Sequence, residues 1–336
     1  MDRTLQKPAD RRGIACAGNL ILDTVHTISH WPERSGLALI SDQHVGLGGG
    51  PLNVAGGLCA MQVPYPVLPI GLIGSGTLGD EVLRLCKETG LSIEFIQRTG
   101  KATTSQTHVM NLPGDSRTFF HHPGANQMLD ETSIDIGALA ERGFKLFYLG
   151  YLTLLDRLDR TWPDGRSGAA NLLSEAKAQG MVTCVDLASS PSENYRKTVE
   201  ATLPEIDVLF ANELEAGYAT GLDLGDGTDK ETMLTAARRL RARGVNHAVI
   251  LHAPELVVWN WGETEGAFAP PRVPPDQVES AVGAGDAFAT GVMHGIHEGW
   301  PPQSCIRLGT DAAAACLSGI TATEGLKGLS FRVQAP

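Results

Sequence analysis

The sequence predicts a doubly wound α/β fold: a mainly parallel sheet flanked by helices, with a small second β-sheet. Two observations predict it. Short apolar runs of strand length alternate with longer segments of helical period, and that alternation buries strands between helices on both faces. Two early stretches, 24–46 and 101–122, break the rhythm. They carry strand-like residues without a clear helix, and two such insertions can pair into a sheet of their own, placed to act as a lid. The 336 residues are read as one domain, 1–336, with ample interior for a core.

Taken in order, residues 14–18 are apolar and form the first buried strand. Arg11 and Arg12 ahead of the run 14–22 resemble the start of a signal peptide. Gly18 and Asn19 interrupt that run, Asp23 ends it, and no small-residue cleavage motif follows, so the expected location is cytoplasmic. Residues 53–61 form a small-residue helix, 67–73 a strand and 80–88 a helix. Residues 101–122 alternate around Pro113-Gly114-Asp115, the signature of a hairpin turn. Strand-length runs recur at 146–149, 182–185, 208–210 and 248–251, with helical periods at 167–179 and 230–243. A late hairpin is expected from 257–261 and 267–268 around 262–266. A proline-rich connector, 270–275, leads to the helix 287–296.

Composition narrows the function. The 27 basic and 38 acidic residues give a net charge of −11, against a nucleic-acid footprint of clustered Lys and Arg. No apolar run reaches the ~18–20 residues of a membrane helix. The six cysteines form no C-x-x-C pair and sit mostly in apolar stretches, as small buried hydrophobes in a reducing compartment do. Glycine is abundant at 39 residues, and fifteen of these fall within 46–57, 71–79 and 283–299.

Four motifs carry chemistry. Gly283-Ala284-Gly285-Asp286 opens directly into an apolar helix. The first N–H groups of a helix have no partner within it, and glycine lets an anion approach them. Asp286 can then accept a hydroxyl proton while the N–H groups of Ala284, Gly285 and Asp286 hold a transferring phosphoryl group; it can equally be a helix cap. Gly48-Gly49-Gly50-Pro51-Leu52-Asn53 brings backbone close to something, and the Asn53 amide both donates and accepts, as polyol recognition requires. Gly74-Ser75-Gly76-Thr77-Leu78-Gly79 matches a dinucleotide-binding pattern literally, but lies in the second βα unit with no acidic ribose ligand after it; close packing at a loop explains it better. Asn212 and Glu215 follow a strand and can order magnesium with its waters, or cap a helix. Asp23 and Asp186 sit just beyond strands, where α/β folds bind ligands. His121 and His122 are adjacent on a strand and point to opposite faces, which argues against a shared metal.

In this order the motifs resemble the ribokinase-like, PfkB-type carbohydrate kinases over nearly the whole chain. The match runs through Gly18-Asn19 and Asp23, Gly48–Gly50 with Asn53, Gly71, Gly74 and Gly79, Gly124-Ala125-Asn126, Asp186, Asn212 with Glu215, and Gly283-Ala284-Gly285-Asp286. The resemblance implies a ribokinase-like domain with a small β lid, and ATP-dependent phosphorylation of a hydroxymethyl group. It implies Asp286 as general base, Gly283, Ala284 and Gly285 as the anion hole, and Asp23, Gly49, Gly50, Asn53 and Asn126 on the substrate side. Asn212 and Glu215 would lie near the phosphates, with Glu215 at Mg2+. His252 and Thr310 take the family's remaining nucleotide-side positions. The chain also departs from the pattern. His252-Ala253-Pro254 replaces a T-x-G turn, Ser280 and Ala281 replace the acid and threonine of a monovalent-cation site, and Thr310 replaces an asparagine. Gly50 stands where some relatives carry lysine, which implies a neutral sugar over a sugar phosphate. A nucleoside kinase, with Trp31, Phe119 and Phe120 lining a base pocket, and a non-catalytic sugar-binding protein are the alternatives. The exposed strand edges of the lid suggest a homodimer.

Overall fold

The computed structural model describes residues 11–112, 117–190 and 192–329. The first strand, β1 (Ile14–Gly18), is wholly buried. Then come β2 (Ile21–Ile28), β3 (Ile40–Gly48), α1 (Gly50–Ala60), β4 (Val67–Gly74), α2 (Thr77–Glu88), β5 (Ile96–Thr99), β6 (Ser105–Asn111) and β7 (Arg117–His122). The second half holds α3 (Ile136–Glu141), β8 (Leu146–Leu152), α4 (Gly168–Ala178), β9 (Val182–Leu187), α5 (Tyr195–Thr202), β10 (Val208–Asn212), α6 (Glu213–Thr220), α7 (Lys230–Ala242) and β11 (Ala248–Ala253). It ends with the hairpin β12 (Leu256–Trp261) and β13 (Thr264–Phe268), then α8 (Ala284–Glu298) and α9 (Pro302–Cys316). The proline-glycine turn expected between β6 and β7 lies outside the described residues.

Nine strands form the main sheet in the order β13-β12-β11-β10-β9-β8-β1-β4-β5. From β5 to β11 all pairings are parallel, and the β11–β12 and β12–β13 pairings are antiparallel, so β12 alone runs against the others. The strand order reverses at β1, so the carboxyl ends of β1, β8, β9, β10 and β11 open onto one edge, where doubly wound sheets bind ligands. The core lies on both faces. Leu149, Leu172, Val185 and Leu209 pack in one cluster, and Ile14, Leu52, Phe210 and Val292 in the other. Local chemistry agrees with the helices. Ser167 Oγ accepts from Ala170 N at 2.9 Å to start α4, and Asp229 caps α7 through Glu231 N.

The second sheet has the order β3-β2-β6-β7. It is mixed: β2 is antiparallel to β3 and parallel to β6, which is antiparallel to β7. It starts earlier than the expected 24–46, because β2 begins at Ile21 and already contains Asp23. Pairing places Gly46, Asp23, Thr107 and His121 in one row across the sheet. Side chains alternate between faces, so Asp23, Val25 and Thr27 share a face with Asp42, His44, Thr107, Asn111, Arg117, Phe119 and His121.

At the opposite, amino edge of the main sheet, His297 ties the chain ends together. Its Nε2 accepts from Gly13 N at 2.9 Å, so Nδ1 carries the proton and donates to Glu298 Oε1 at 2.7 Å. Arg12 bonds the same carboxylate, and the Tyr65 ring stacks on the imidazole at 3.7 Å. Burial lowers the His297 pKa to about 4. Protonation destroys the acceptor for Gly13, while an unfolded histidine protonates near pH ~6.5. The unfolded state therefore binds more protons between those values, and stability falls as pH drops through that window. The melting temperature is expected to decline from pH 6.5 towards 4, and His297→Gln to flatten that part of the curve. A flat wild-type curve would contradict this reading.

Candidate active site

A cleft of about 1280 Å3 lies between the two sheets, lined by the carboxyl ends of the main-sheet strands, the start of α8 and one face of the second sheet. Gly283 opens α8 at φ 78°. A Cβ there would lie 2.2 Å from the Ala322 Cβ, so only glycine fits. Ala284 and Gly285 of the first turn of α8 line the cleft, and the Ala284 N–H bonds Ala281 O at 3.4 Å. Asp286 follows, 5% exposed. Its Oδ2 accepts from Asn53 Nδ2 at 2.8 Å and from the Tyr151 hydroxyl at 2.9 Å. Its Oδ1 is buried and has no partner among the described residues. Burial raises the Asp286 carboxyl to about 6, against the two hydrogen bonds, which lower it.

Asp23 faces Asp286 from β2. Burial raises its carboxyl to about 7, opposed by Thr107 and reinforced by the Asp286 charge. The approach depends on Gly48, where a Cβ would sit 2.0 Å from Asp23 Oδ2. Gly49, at φ 87°, lines the cleft and leads into α1, which presents Asn53. Gly50 does not line it. A side chain there would meet the Tyr148 hydroxyl at 2.8 Å and the Tyr151 ring at 3.2 Å. Two expected site residues are placed elsewhere. Asn126 is fully buried, with Oδ1 accepting from Leu20 N and Nδ2 donating to Leu20 O, so it braces the turn between β1 and β2. Thr310 is buried in α9 and donates to Arg307 O.

On the other side of the cleft, Asn212 and Glu215 form a capping box: Asn212 Oδ1 accepts from Glu215 N, and Glu215 Oε2 accepts from Asn212 N, both at 2.8 Å. Ser189 donates to Glu215 Oε1 at 2.7 Å. Burial raises Glu215 to about 6, and it raises Asp186 well above the usual carboxylate range, with the Glu215 charge adding to the second. His252 ends near this wall, tilted against Phe288 at 5.1 Å, and burial lowers its imidazole to about 4. Among the described residues no group of three or more His, Cys, Asp or Glu is placed to hold a metal ion. Six acids line the cleft, namely Asp23, Asp42, Asp186, Glu215, Glu279 and Asp286, and a single Arg or Lys, Arg117, faces them among the described residues.

The pfkB family carbohydrate kinase model matches residues 12–327. The chain belongs to the pfkB family of carbohydrate kinases. As a pfkB-family protein it is a kinase that transfers a phosphoryl group. The 5-dehydro-2-deoxygluconokinase of Clostridium perfringens is 24% identical over 293 residues, 83% of this chain and 80% of that protein. The cytidine kinase of Thermococcus kodakarensis is 29% identical over 144 residues, 42% of this chain and 49% of that protein. Arabidopsis thaliana ribokinase, solved with ribose and ATP, shares the fold with a TM-score of 0.75 at 20% identity, covering 94% of this chain and 96% of that one. A nucleoside kinase of Methanocaldococcus jannaschii does so with a TM-score of 0.67 at 14% identity, covering 94% of both chains.

Two cleft residues escaped the sequence reading. Tyr151 has no motif around it, since β8 loses its regular pairing between Leu149 and Leu152. Arg117 was findable: counting in twos along β7 from His121 places it on the face shared with Asp23. Among the described residues no helix is long and apolar enough to cross a membrane.

Proposed function

We propose that this kinase phosphorylates a hydroxymethyl group of a small sugar from ATP, with Asp286 as general base and Gly283, Ala284 and Gly285 as the anion hole. The observation that carries it is Asp286 itself: a buried carboxylate at a helix N-terminus, one oxygen held and the other bare, titrating near 6. A base of that pKa is ionised at neutral pH and still accepts a proton in the transition state. Asp23, Gly49 and Asn53 support the sugar, and the second sheet serves as a lid whose closure excludes water. Asn212, Glu215 and His252 border the nucleotide phosphates.

The donor set fits magnesium. Glu215 and Asp186 are buried carboxyls, and the Glu215 charge raises Asp186 further, a conflict a hard cation relieves; Mg2+ takes one or two carboxylates beside substrate phosphates. Bound there, it would neutralise phosphate charge. Ser280 and Ala281 offer no carboxylate for a monovalent ion.

A nucleoside acceptor is the second reading, favoured by Phe119, which lines the cleft; Trp31 and Phe120 do not. A coupled ADP-release assay over neutral sugars, sugar acids and nucleosides decides. Turnover on a sugar supports the proposal, and turnover confined to nucleosides replaces it. Gly48→Ala is expected to push Asp23 aside and raise the sugar KM about tenfold or more, the size of one lost hydrogen bond to a charged group, with the ATP KM unchanged. An unchanged sugar KM would remove Asp23 from the sugar site. The lid edges β3 and β7, with Ile40 and Phe120 exposed, are the proposed dimer contact; light scattering at monomer mass would remove it.

A further inference from the structure

The two oxygens of Asp286 are not equivalent. Oδ2 takes both hydrogen bonds, from Asn53 and Tyr151, while Oδ1 takes none among the described residues. We propose that Tyr151 is a positioning residue for the base: its hydroxyl, with the Asn53 amide, occupies Oδ2 and leaves Oδ1 as the oxygen that receives the substrate proton. This rests on the kinase reading of the site.

The backbone supports a dedicated placement. Tyr151 has φ 63° and Thr153 has φ 83°. The left-handed region is strained for an L residue, and such strain persists where the surroundings over-determine it. Here they do. Thr153 N and Leu155 N both donate to Asp159, at 3.0 and 2.7 Å, Thr153 Oγ1 bonds Ala188 O, and Ala188 N bonds Leu152 O. The start of α1 packs against the ring from below: a Cβ at Gly50 would meet the Tyr148 hydroxyl at 2.8 Å and the Tyr151 ring at 3.2 Å. Glycine at 50 is thus fitted to both tyrosines, and the Gly50 position speaks for the base's orientation before it speaks for the sugar's charge.

The hydroxyl is a donor at every working pH, because burial and the Asp286 charge hold the phenol well above its usual range. Donation to a carboxylate favours the ionised form. Asp23 on β2, Asp186 on β9 and Glu215 on α6 are the other carboxyls whose charges bear on Asp286. Cys316 on α9 and Tyr148 on β8 also face it, and His252 on β11 is a neutral imidazole. None of these groups is altered by removing the Tyr151 hydroxyl.

The test is Tyr151→Phe, which keeps the ring. Carbon-13 NMR of the Asp286 carboxyl in ligand-free protein is expected to titrate at higher pH than in wild type. The acid limb of kcat/KM moves the same way, and kcat falls roughly tenfold, as for a hydrogen bond to a charged group, with sugar KM unchanged. Gly50→Ala, which crowds the Tyr151 ring together with the Tyr148 hydroxyl and leaves the Tyr151 hydroxyl in place, is expected to move the carboxyl midpoint in the same direction. An unchanged midpoint in Tyr151→Phe overturns the proposal. A wild-type protein inactive on every acceptor overturns the kinase reading instead, and the ligand-free titration still decides the role of Tyr151.

Discussion

Asp286→Asn is expected to lower turnover by roughly 10²–10⁴-fold, the usual worth of a general base, while the protein keeps its fold and its nucleotide affinity. The change is nearly isosteric. The new side-chain oxygen can still accept from Asn53 and Tyr151, which now bond Oδ2 at 2.8 and 2.9 Å. What is lost is a proton acceptor on the other branch. The proposed anion hole is backbone at Gly283, Ala284 and Gly285, so it is expected to survive and leave residual catalysis. The pH profile supplies a second reading. The folded-state carboxyl sits at about 6, raised by burial. The active form is the ionised one, so wild-type kcat/KM rises with pH through that value and levels off above it. Asp23, raised to about 7, adds a second step on the same side if its charge is needed for binding. In Asp286→Asn the step near 6 disappears from the residual rate. Thermal unfolding and a nucleotide titration separate loss of chemistry from loss of structure. Turnover near that of wild type would remove Asp286 as base.

The turn that opens α8 was legible because its shape is local. Gly283 through Asp286 is a contiguous turn whose backbone shape and first helical residues are written in four letters, and the structure makes of them a φ of 78° followed by a buried acid. The parallel sheet was legible for the same reason: each strand is a short apolar run between helical periods. What the chain does not write locally is which side chains meet from distant elements. Asn126 follows Gly124-Ala125 in a family-like motif, yet both ends of its amide bond the backbone of Leu20, 106 positions away. Asn212 and Glu215 read as phosphate-side residues or a cap. The cap is present in full, and Ser189 joins it from the end of β9, which no spacing rule reveals. The lid began three residues early for a physical reason. Asn19 and Leu20 already turn the chain out of the main sheet, so Asp23 approaches the site from the second sheet, opposite Asp286, and not from the main one.

Arg117→Ala is expected to lower kcat about 100-fold, with the sugar KM little changed. The argument is one of charge. Six acids line the cleft, and a nucleotide brings more negative charge into it, against a single described guanidinium. Arg117 carries that guanidinium half-buried on the cleft face of β7. Burial lowers its pKa below the usual arginine range; the charge of Cys316 offsets this in part. No carboxylate lies within ion-pair distance of it among the described residues. Its Nε bonds only the Asn111 amide oxygen, at 3.3 Å, across the hairpin. A cation with no described acid at ion-pair distance, in a strongly acidic chain, is available to an anion that arrives later. Cys316 interacts with Arg117 and bonds the Val282 carbonyl, one residue before Gly283, so the guanidinium lies towards the start of α8. Closure of the proposed lid would remove water from between the charges and strengthen the attraction, since the same charges interact several-fold more strongly as the effective dielectric falls. Stabilising the phosphoryl group in flight affects kcat, whereas holding a charged group on the acceptor would affect its KM, so steady-state kinetics in both substrates distinguishes the two anions. Arg117→Lys keeps the charge but loses the two-pronged geometry, and is expected to recover part of the rate. A kcat unchanged in Arg117→Ala would mean that the anion hole and magnesium suffice without it.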